Sequence, residues 1–323
     1  MPNRYPKVAI RSKNELAKRI SRKDFSFKEA LALINDVRAN FSRYWKDNEK
    51  ESKPEDGKYV RSAAGKPLGV LLKKINTMVL KPHDKLLPSF IFGGISGLDH
   101  VHAAASLIGK KRKRTLLKAD IKKFFEQVRY DMVVSLFKNK CQCTFYAAKW
   151  LADLCCIPLG PKGSGSDNKS IARGFATSSR LAVWCNLEIF LKLDRLIKKR
   201  LKGHDPRLMI FVDDIGITAS RVPDQKMEEV YGEVCKLFNS ASLPLNEKKK
   251  KIRPYSHRKG MVILGSRIER NSLSISGKTL ANLNRIKNKL KKQLSPEEKK
   301  QQMLRRRSIM IYKKRVENIT KLK

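Results

Sequence analysis

Two adjacent carboxylates, Asp213 and Asp214, stand between the apolar runs Leu208-Met209-Ile210-Phe211-Val212 and Ile215-Gly216-Ile217. Apolar runs flanking a short polar step predict a β-hairpin with the acids at its tip. Neighbouring strand residues point to opposite faces, so this turn can aim one carboxylate at a pocket and keep the other beside it. An Asp-Asp pair is also common in solvated turns, and a third acid lifts this one above that reading. Asp120 ends the run Thr115-Leu116-Leu117-Lys118-Ala119 and is followed by Phe124-Phe125, which predicts a strand terminus able to face the hairpin across a sheet. Asp120 could equally be the N-cap of a helix starting at Ile121, and the two roles are compatible. Three carboxylates suffice for two hard divalent cations. Such a pair stabilises the attacking and leaving oxygens of an in-line phosphoryl displacement, as in polymerases and nucleases.

The elements around these acids can be read in outline. A helical region is expected from Phe27 to Trp45, a polar loop over Asn48 to Lys58, and a helix from Val70 to Ile75. Lys110 to Arg114 form a basic turn before the Asp120 strand; Lys111, Arg112 and Arg114 are placed there to touch a nucleic-acid strand, although a hydrated hairpin would look the same. Toward the carboxy terminus, Leu280, Leu283, Ile286 and Leu290 recur at helical spacing, and Ser295-Pro296-Glu297-Glu298 is a helix start. Met303, Ile309, Met310 and Ile311 are expected to begin a second apolar face, and Arg285, Lys289 and Lys292 are candidate nucleic-acid contacts.

Charge narrows the partner. The 323 residues carry 72 Lys and Arg against 30 Asp and Glu, a formal net charge of +42, with a pI near 10.2. That excess implies a polyanionic partner. The sequence has no apolar stretch of about 18 residues, and Met1 to Arg22 is basic without an apolar core, so a nucleic acid is expected in a cytoplasmic setting and no membrane. Aromatic residues are only 7%, which favours backbone tracking over base stacking as the main source of affinity. The six cysteines and five histidines show no zinc-type spacing, and the cysteines are expected to be reduced; His100 and His102 could face one side of a strand.

Phe211-Val212-Asp213-Asp214 and Leu117-Lys118-Ala119-Asp120-Ile121-Lys122-Lys123-Phe124-Phe125 resemble, in order and separation, the catalytic motifs of reverse transcriptases, particularly the bacterial retron-type group. Ala172-Arg173-Gly174-Phe175-Ala176-Thr177-Ser178-Ser179 is similar to the family's Pro-Gln-Gly-x-x-x-Ser-Pro segment, with Arg173 where Gln is usual and Ser179 where Pro is usual. There Gly174 would let the backbone approach a template or nucleotide, and Thr177 or Ser178 would cap a helix running through Ala182 toward Leu193. Leu245-Asn246-Glu247-Lys248-Lys249 resembles the Leu-Asn-x-x-Lys motif, Lys249 being the register choice for the residue near the triphosphate. Met261 to Ser266 resembles the primer-grip strand, or is a plain core strand. Lys58-Tyr59-Val60-Arg61 resembles a fingers segment in which Lys58 and Arg61 clamp the triphosphate.

The resemblance implies an α+β right-hand polymerase: an N-terminal helical extension (1–54), fingers and connections (55–115 and 130–185), a palm with an antiparallel sheet (116–129 and 186–266) and a short basic helical thumb (267–323). It assigns metal binding to Asp120, Ile121, Asp213 and Asp214, with two Mg²⁺ or alternatively Mn²⁺. Nucleotide contacts fall to Lys58, Arg61, Phe125, Arg173, Gly174 and Lys249. Phe125 would bar a 2′-hydroxyl and select deoxynucleotides, while Phe124 packs in the core. The implied partners are a structured noncoding RNA, an RNA–DNA hybrid, an effector protein and further copies of the chain, in antiphage defence. Two features depart from retron enzymes: His100-Val101-His102-Ala103 stands for Asn-Ala-x-x-His, and Ile263-Leu264-Gly265 for Val-Thr-Gly. Untemplated or protein-primed synthesis and a non-catalytic RNA scaffold are the alternatives.

Overall fold

The computed structural model describes residues 5–109, 113–255, 260–269, 272–291, 293 and 295–321. The fold is α+β, and its paired strands run antiparallel. The chain forms two compact units, one comprising the described residues of Met1–Ser89, Gly93–Gly97 and Lys122–Leu191, the other those of Phe90–Phe92, Leu98–Ile121 and Lys192–Lys323.

The first unit is mainly helical. Ser26 and Glu29 form a reciprocal capping box at the start of helix Phe27–Asn40, because the Ser side chain takes an orphan helix N–H while the Glu carboxylate reaches back to the cap. Ala30, Ile34 and Val37 recur on one face of that helix and are buried, opposite Leu16, Ala17 and Ile20 of helix Lys13–Ile20. A 3₁₀ turn, Phe41–Tyr44, completes the predicted helical region. Helix Pro67–Lys74 begins on a proline, whose fixed φ suits a first helical position. Two short hairpins pair Lys46–Asp47 with Arg61–Ser62 and Cys156–Pro158 with Lys169–Ile171.

The expected helix from Ser178 toward Leu193 is broken. It stops at Cys185, and a new helix spans Leu187–Arg200. Asn186, at the junction, donates its side-chain amide to Ala182 O at 2.8 Å, closing the first helix with a side chain that competes with the backbone. Neither expected hydroxyl caps the first helix: the Thr177 hydroxyl points to Cys155 Sγ at 3.5 Å and the Ser178 hydroxyl donates to Ala172 O at 2.6 Å.

The second unit is built on a four-stranded sheet in the order Arg207–Phe211, Asp214–Ser220, Arg114–Asp120, Lys251–Tyr255. Helix Asp224–Asn239 buries Met227, Val230, Val234 and Phe238. A second sheet, Met261–Ile263, Ser266–Glu269 and Ser272–Ile275, turns tightly at Leu264-Gly265, both at positive φ. It shares a core with Leu107, Leu116, Met209 and Val316. The histidines expected on a strand lie on helix His100–Ser106, capped by Asp99, which accepts from Val101 N and His102 N at 3.0 Å. Helices Gly277–Leu290 and Pro296–Lys321 pack together, the latter opened by the Ser295–Glu298 capping box. Their apolar seam is narrower than its spacing suggests: Leu283 and Ile286 are buried, but Leu280, Met303, Met310 and Ile311 are exposed.

Candidate active site

Phe211 and Asp214 are register partners, so Val212 and Asp213 alone form the hairpin tip. Val212 sits at φ 58°, a left-handed conformation that a β-branched residue adopts only under constraint. The constraint is visible: the hairpin is tied to the neighbouring strand end by Ile121 N donating to Asp213 O at 2.9 Å. Asp120 and Asp214 are direct cross-strand partners. Asn246 N donates to Asp120 O at 2.8 Å, and Ile121 bridges to Leu245, so the Leu245-Asn246 segment is fastened to the same strand end. The structure therefore assembles Asp120, Ile121, Asp213, Asp214 and Lys249 at one end of one sheet.

Two lysines neutralise this end. Lys249 Nζ lies 2.8 Å from Asp120 Oδ2, and Lys118 Nζ lies 3.1 Å from Asp214 Oδ1. Burial pulls the Lys249 ammonium down, but its hydrogen bond to Asp120 and the charges of Asp120, Asp213 and Asp214 more than reverse this, leaving it above the ordinary lysine value. Asp120 is no helix cap: after a left-handed Lys123, the next helix spans Phe124–Gln127. The donors at the site are all oxygens, the set a Mg²⁺ or Mn²⁺ ion prefers. In this conformation ammonium groups sit on Asp120 and Asp214, and among the described residues no three or more His, Cys, Asp or Glu side chains converge as a ready metal site. The residue types fit the ions; the lysines hold their place in charge.

The remaining nucleotide candidates belong to the first unit. Arg61 is buried, with its guanidinium bound to the Asp47 carboxylate and Gly160 O and flanked by the rings of Trp45 and Tyr59. Burial lowers its pKa, and the Asp47 charge works against that shift. Lys58 lies 4.0 Å from Asp56 and is partly exposed. Gly174 sits at φ 101°, where an added Cβ would lie 2.3 Å from Arg61 O. The close approach that requires glycine is thus to the chain's own backbone, which also holds Arg61 N to Arg173 O at 2.7 Å. Arg173 donates to both Glu126 oxygens at 3.3 and 3.2 Å and lies 4.7 Å above the Phe125 ring. Phe124 is fully buried beside Phe190, and Phe125 is nearly so.

Of the nucleic-acid candidates, Arg285 and Lys289 are exposed on helix Gly277–Leu290. Lys111, Arg112 and Lys292 lie outside the described residues. Arg114 is corrected: it is fully buried, donating to Asp205 Oδ2 at 2.8 Å, Asp205 O at 2.6 Å and Thr218 Oγ1 at 3.1 Å. A strand's first residue points inward as readily as outward, and here a half-buried acid receives it. Sequence reasoning missed Lys118 and Glu126. Lys118 had a signal, since two residues before Asp120 on a strand is the same face; Glu126 had none that spacing could supply.

Residues 66–268 match the family described as Reverse transcriptase (RNA-dependent DNA polymerase), which is more than half of the chain. The chain belongs to the reverse transcriptase family. Membership implies a right-hand polymerase fold, to which the α+β architecture and antiparallel sheets conform. This reverse transcriptase is 24% identical over 193 residues to the Retron Ec48 reverse transcriptase of Escherichia coli, covering 57% of the chain and 43% of that relative. It is 27% identical over 178 residues to the Retron Se72 reverse transcriptase of Salmonella heidelberg (strain 579083-10), covering 55% of the chain and 42% of that relative. The matched segment thus spans less than half the length of either relative.

Proposed function

We propose that the chain is an RNA-directed DNA polymerase acting with a structured noncoding RNA in antiphage defence, in the cytoplasm. The observation that carries the catalytic part is the cross-strand register of Asp120 with Asp214, with Asp213 at the adjoining tip and Lys249 reaching Asp120. Asp120, Asp213 and Asp214, with Ile121 beside them, would hold two Mg²⁺ or Mn²⁺ ions, which when bound activate a primer 3′-hydroxyl and neutralise the leaving pyrophosphate. Lys249 stays cationic at neutral pH and is suited to a phosphate once Asp120 is engaged elsewhere. Lys118 holds Asp214 in position until then. In this reading the N-terminal extension and most of the fingers fall in the first unit, and most of the palm and the thumb in the second. The RNA partner draws on the retron relatives and on the net charge of +42; the defence role draws on the resemblance to the retron-type group alone.

Primer extension by the purified protein on an RNA template, with deoxynucleotides and Mg²⁺, tests this reading. Wild type should make complementary DNA and Asp213→Ala should make none; equal incorporation by both would refute the assignment. One observation favours a second reading, synthesis without conventional templating: Arg173, standing where the family has Gln, is committed to Glu126. Product sequencing separates the two, since untemplated DNA matches no supplied RNA.

A further inference from the structure

The first unit contains a cleft of about 740 Å³ that the catalytic reading leaves unused. It is formed by the end of helix Phe27–Asn40 with its 3₁₀ turn, by helix Phe145–Cys155, and by the hairpin Cys156–Pro158/Lys169–Ile171. In a chain with only 7% aromatic residues, Phe41, Trp45, Tyr146 and Trp150 all line it. Four cations, Arg38, Lys149, Lys162 and Lys169, line it against a single acid, Asp153.

Of the four rings Tyr146 differs most from a core aromatic, and Trp150 is half-buried with its indole nitrogen enclosed. Tyr146 and Trp150 are four residues apart on one helix, hence on one face. Tyr146 is 83% exposed and Phe145 beside it 48%, a pair of rings held edge to face at 6.0 Å. Leaving adjacent rings in water forfeits the burial that aromatic side chains usually supply. Trp45 is already faced by Lys162 at 4.8 Å, so one wall is fixed and the helix face is open at its Tyr146 end.

The geometry points to a binding site for an unpaired RNA segment, with bases stacked on Tyr146 and Trp150 and phosphates held by Lys149, Lys169 and Arg38. Rings interleaved with cations are what single strands require, because stacking needs unstacked bases and the backbone needs counter-charge. A duplex offers no free base faces, and an acidic peptide would use the cations and leave the rings idle. RNA is favoured over DNA by Asp153 and Ser42 in the lining, a carboxylate and a hydroxyl able to bond a 2′-hydroxyl. The inference rests on the proposed RNA partnership but on none of the catalytic acids.

The test is fluorescence anisotropy of the full chain with labelled oligouridylate and oligodeoxyuridylate of about 12 nucleotides, at raised ionic strength to weaken contacts made through phosphate alone. Tyr146→Ala should weaken oligouridylate binding about tenfold, and Tyr146→Phe should bind like wild type. Primer extension by Tyr146→Ala on a pre-annealed primer-template should equal wild type, so loss of extension in wild type itself would sink the polymerase reading without touching the cleft. Binding by Tyr146→Ala within about twofold of wild type would overturn the site. Equal, Tyr146-dependent binding of the deoxy oligomer would overturn its assignment to RNA.

Discussion

Replacing Arg114 tests whether the strand that carries Asp120 is anchored by a buried charge. In Arg114→Met the apolar stem is retained, so packing changes little and the loss is electrostatic. The guanidinium leaves Asp205 Oδ2 at 2.8 Å, Asp205 O at 2.6 Å and Thr218 Oγ1 at 3.1 Å. Thr218 keeps a partner, since its hydroxyl also donates to Leu107 O at 2.9 Å; Asp205 bears the cost. Removing one member of a buried pair costs about 3–5 kcal/mol. The Asp205 side chain is 24% exposed, and Arg207 Nε lies 3.2 Å from its other oxygen, so the expected loss is at the lower end, about 3 kcal/mol. For a unit of this size that lowers the melting temperature by about 6–12 °C. Thermal unfolding followed by circular dichroism measures it. Arg114→Met/Asp205→Asn should recover more than half of the loss, because the stranded carboxylate is then gone. A single-variant shift below about 3 °C, or a double variant no better than the single, would refute uncompensated charge as the cause.

Three further outcomes follow from the same structure. Gly174→Ala should destabilise the first unit by about 2 kcal/mol or more, since the new Cβ meets Arg61 O at 2.3 Å in a backbone conformation alanine resists; an unchanged denaturant midpoint would contradict the close contact. Burial raises the Cys155 thiol from 9.0 to about 12, only partly opposed by Thr177. Between those two values the unfolded chain ionises and the folded chain does not, so this contribution to stability is complete below pH 9 and lost toward pH 12; Cys155→Ala should flatten the alkaline limb of a stability profile. Lys118→Met removes an ammonium 3.1 Å from Asp214 and should tighten Mn²⁺ binding severalfold in calorimetry, whereas unchanged affinity would mean that the lysine and the ion do not compete.

The hairpin, the Asp120 strand end and the Ser295 helix start were legible because each is fixed by residues within a few positions. Apolar alternation sets a strand, a Ser-x-x-Glu sets a cap, and both survive tertiary folding. Lys249 was legible only as one of four consecutive lysines; the structure places its ammonium 2.8 Å from Asp120. What spacing cannot supply is where a long cation ends. The surface contact expected of Arg114 is overturned by its full burial, and Arg61, expected at a triphosphate, is bound to Asp47 in this conformation. The Ser178 helix break depends on a side-chain hydrogen bond from Asn186, which no periodicity registers.

The reason lies in the charge balance. With 72 basic residues and 30 acidic ones, a composition-based prior sends every Arg to solvent. The acids are the scarce partner, and several are spent on buried or half-buried arginines: Asp47 with Arg61, Asp84 with Arg180, Asp205 with Arg114 and Glu126 with Arg173. Each such pair removes a positive and a negative charge together from the surface. The surplus of +42 is therefore not diluted inward; it remains on side chains that reach water, where a polyanion can meet it. An Arg in this chain is better judged by whether an acid can reach it than by how many other cations surround it. By that criterion Arg285, exposed on its helix and outside the ion pairs found among the described residues, belongs to the outward set, whereas Arg114 never did.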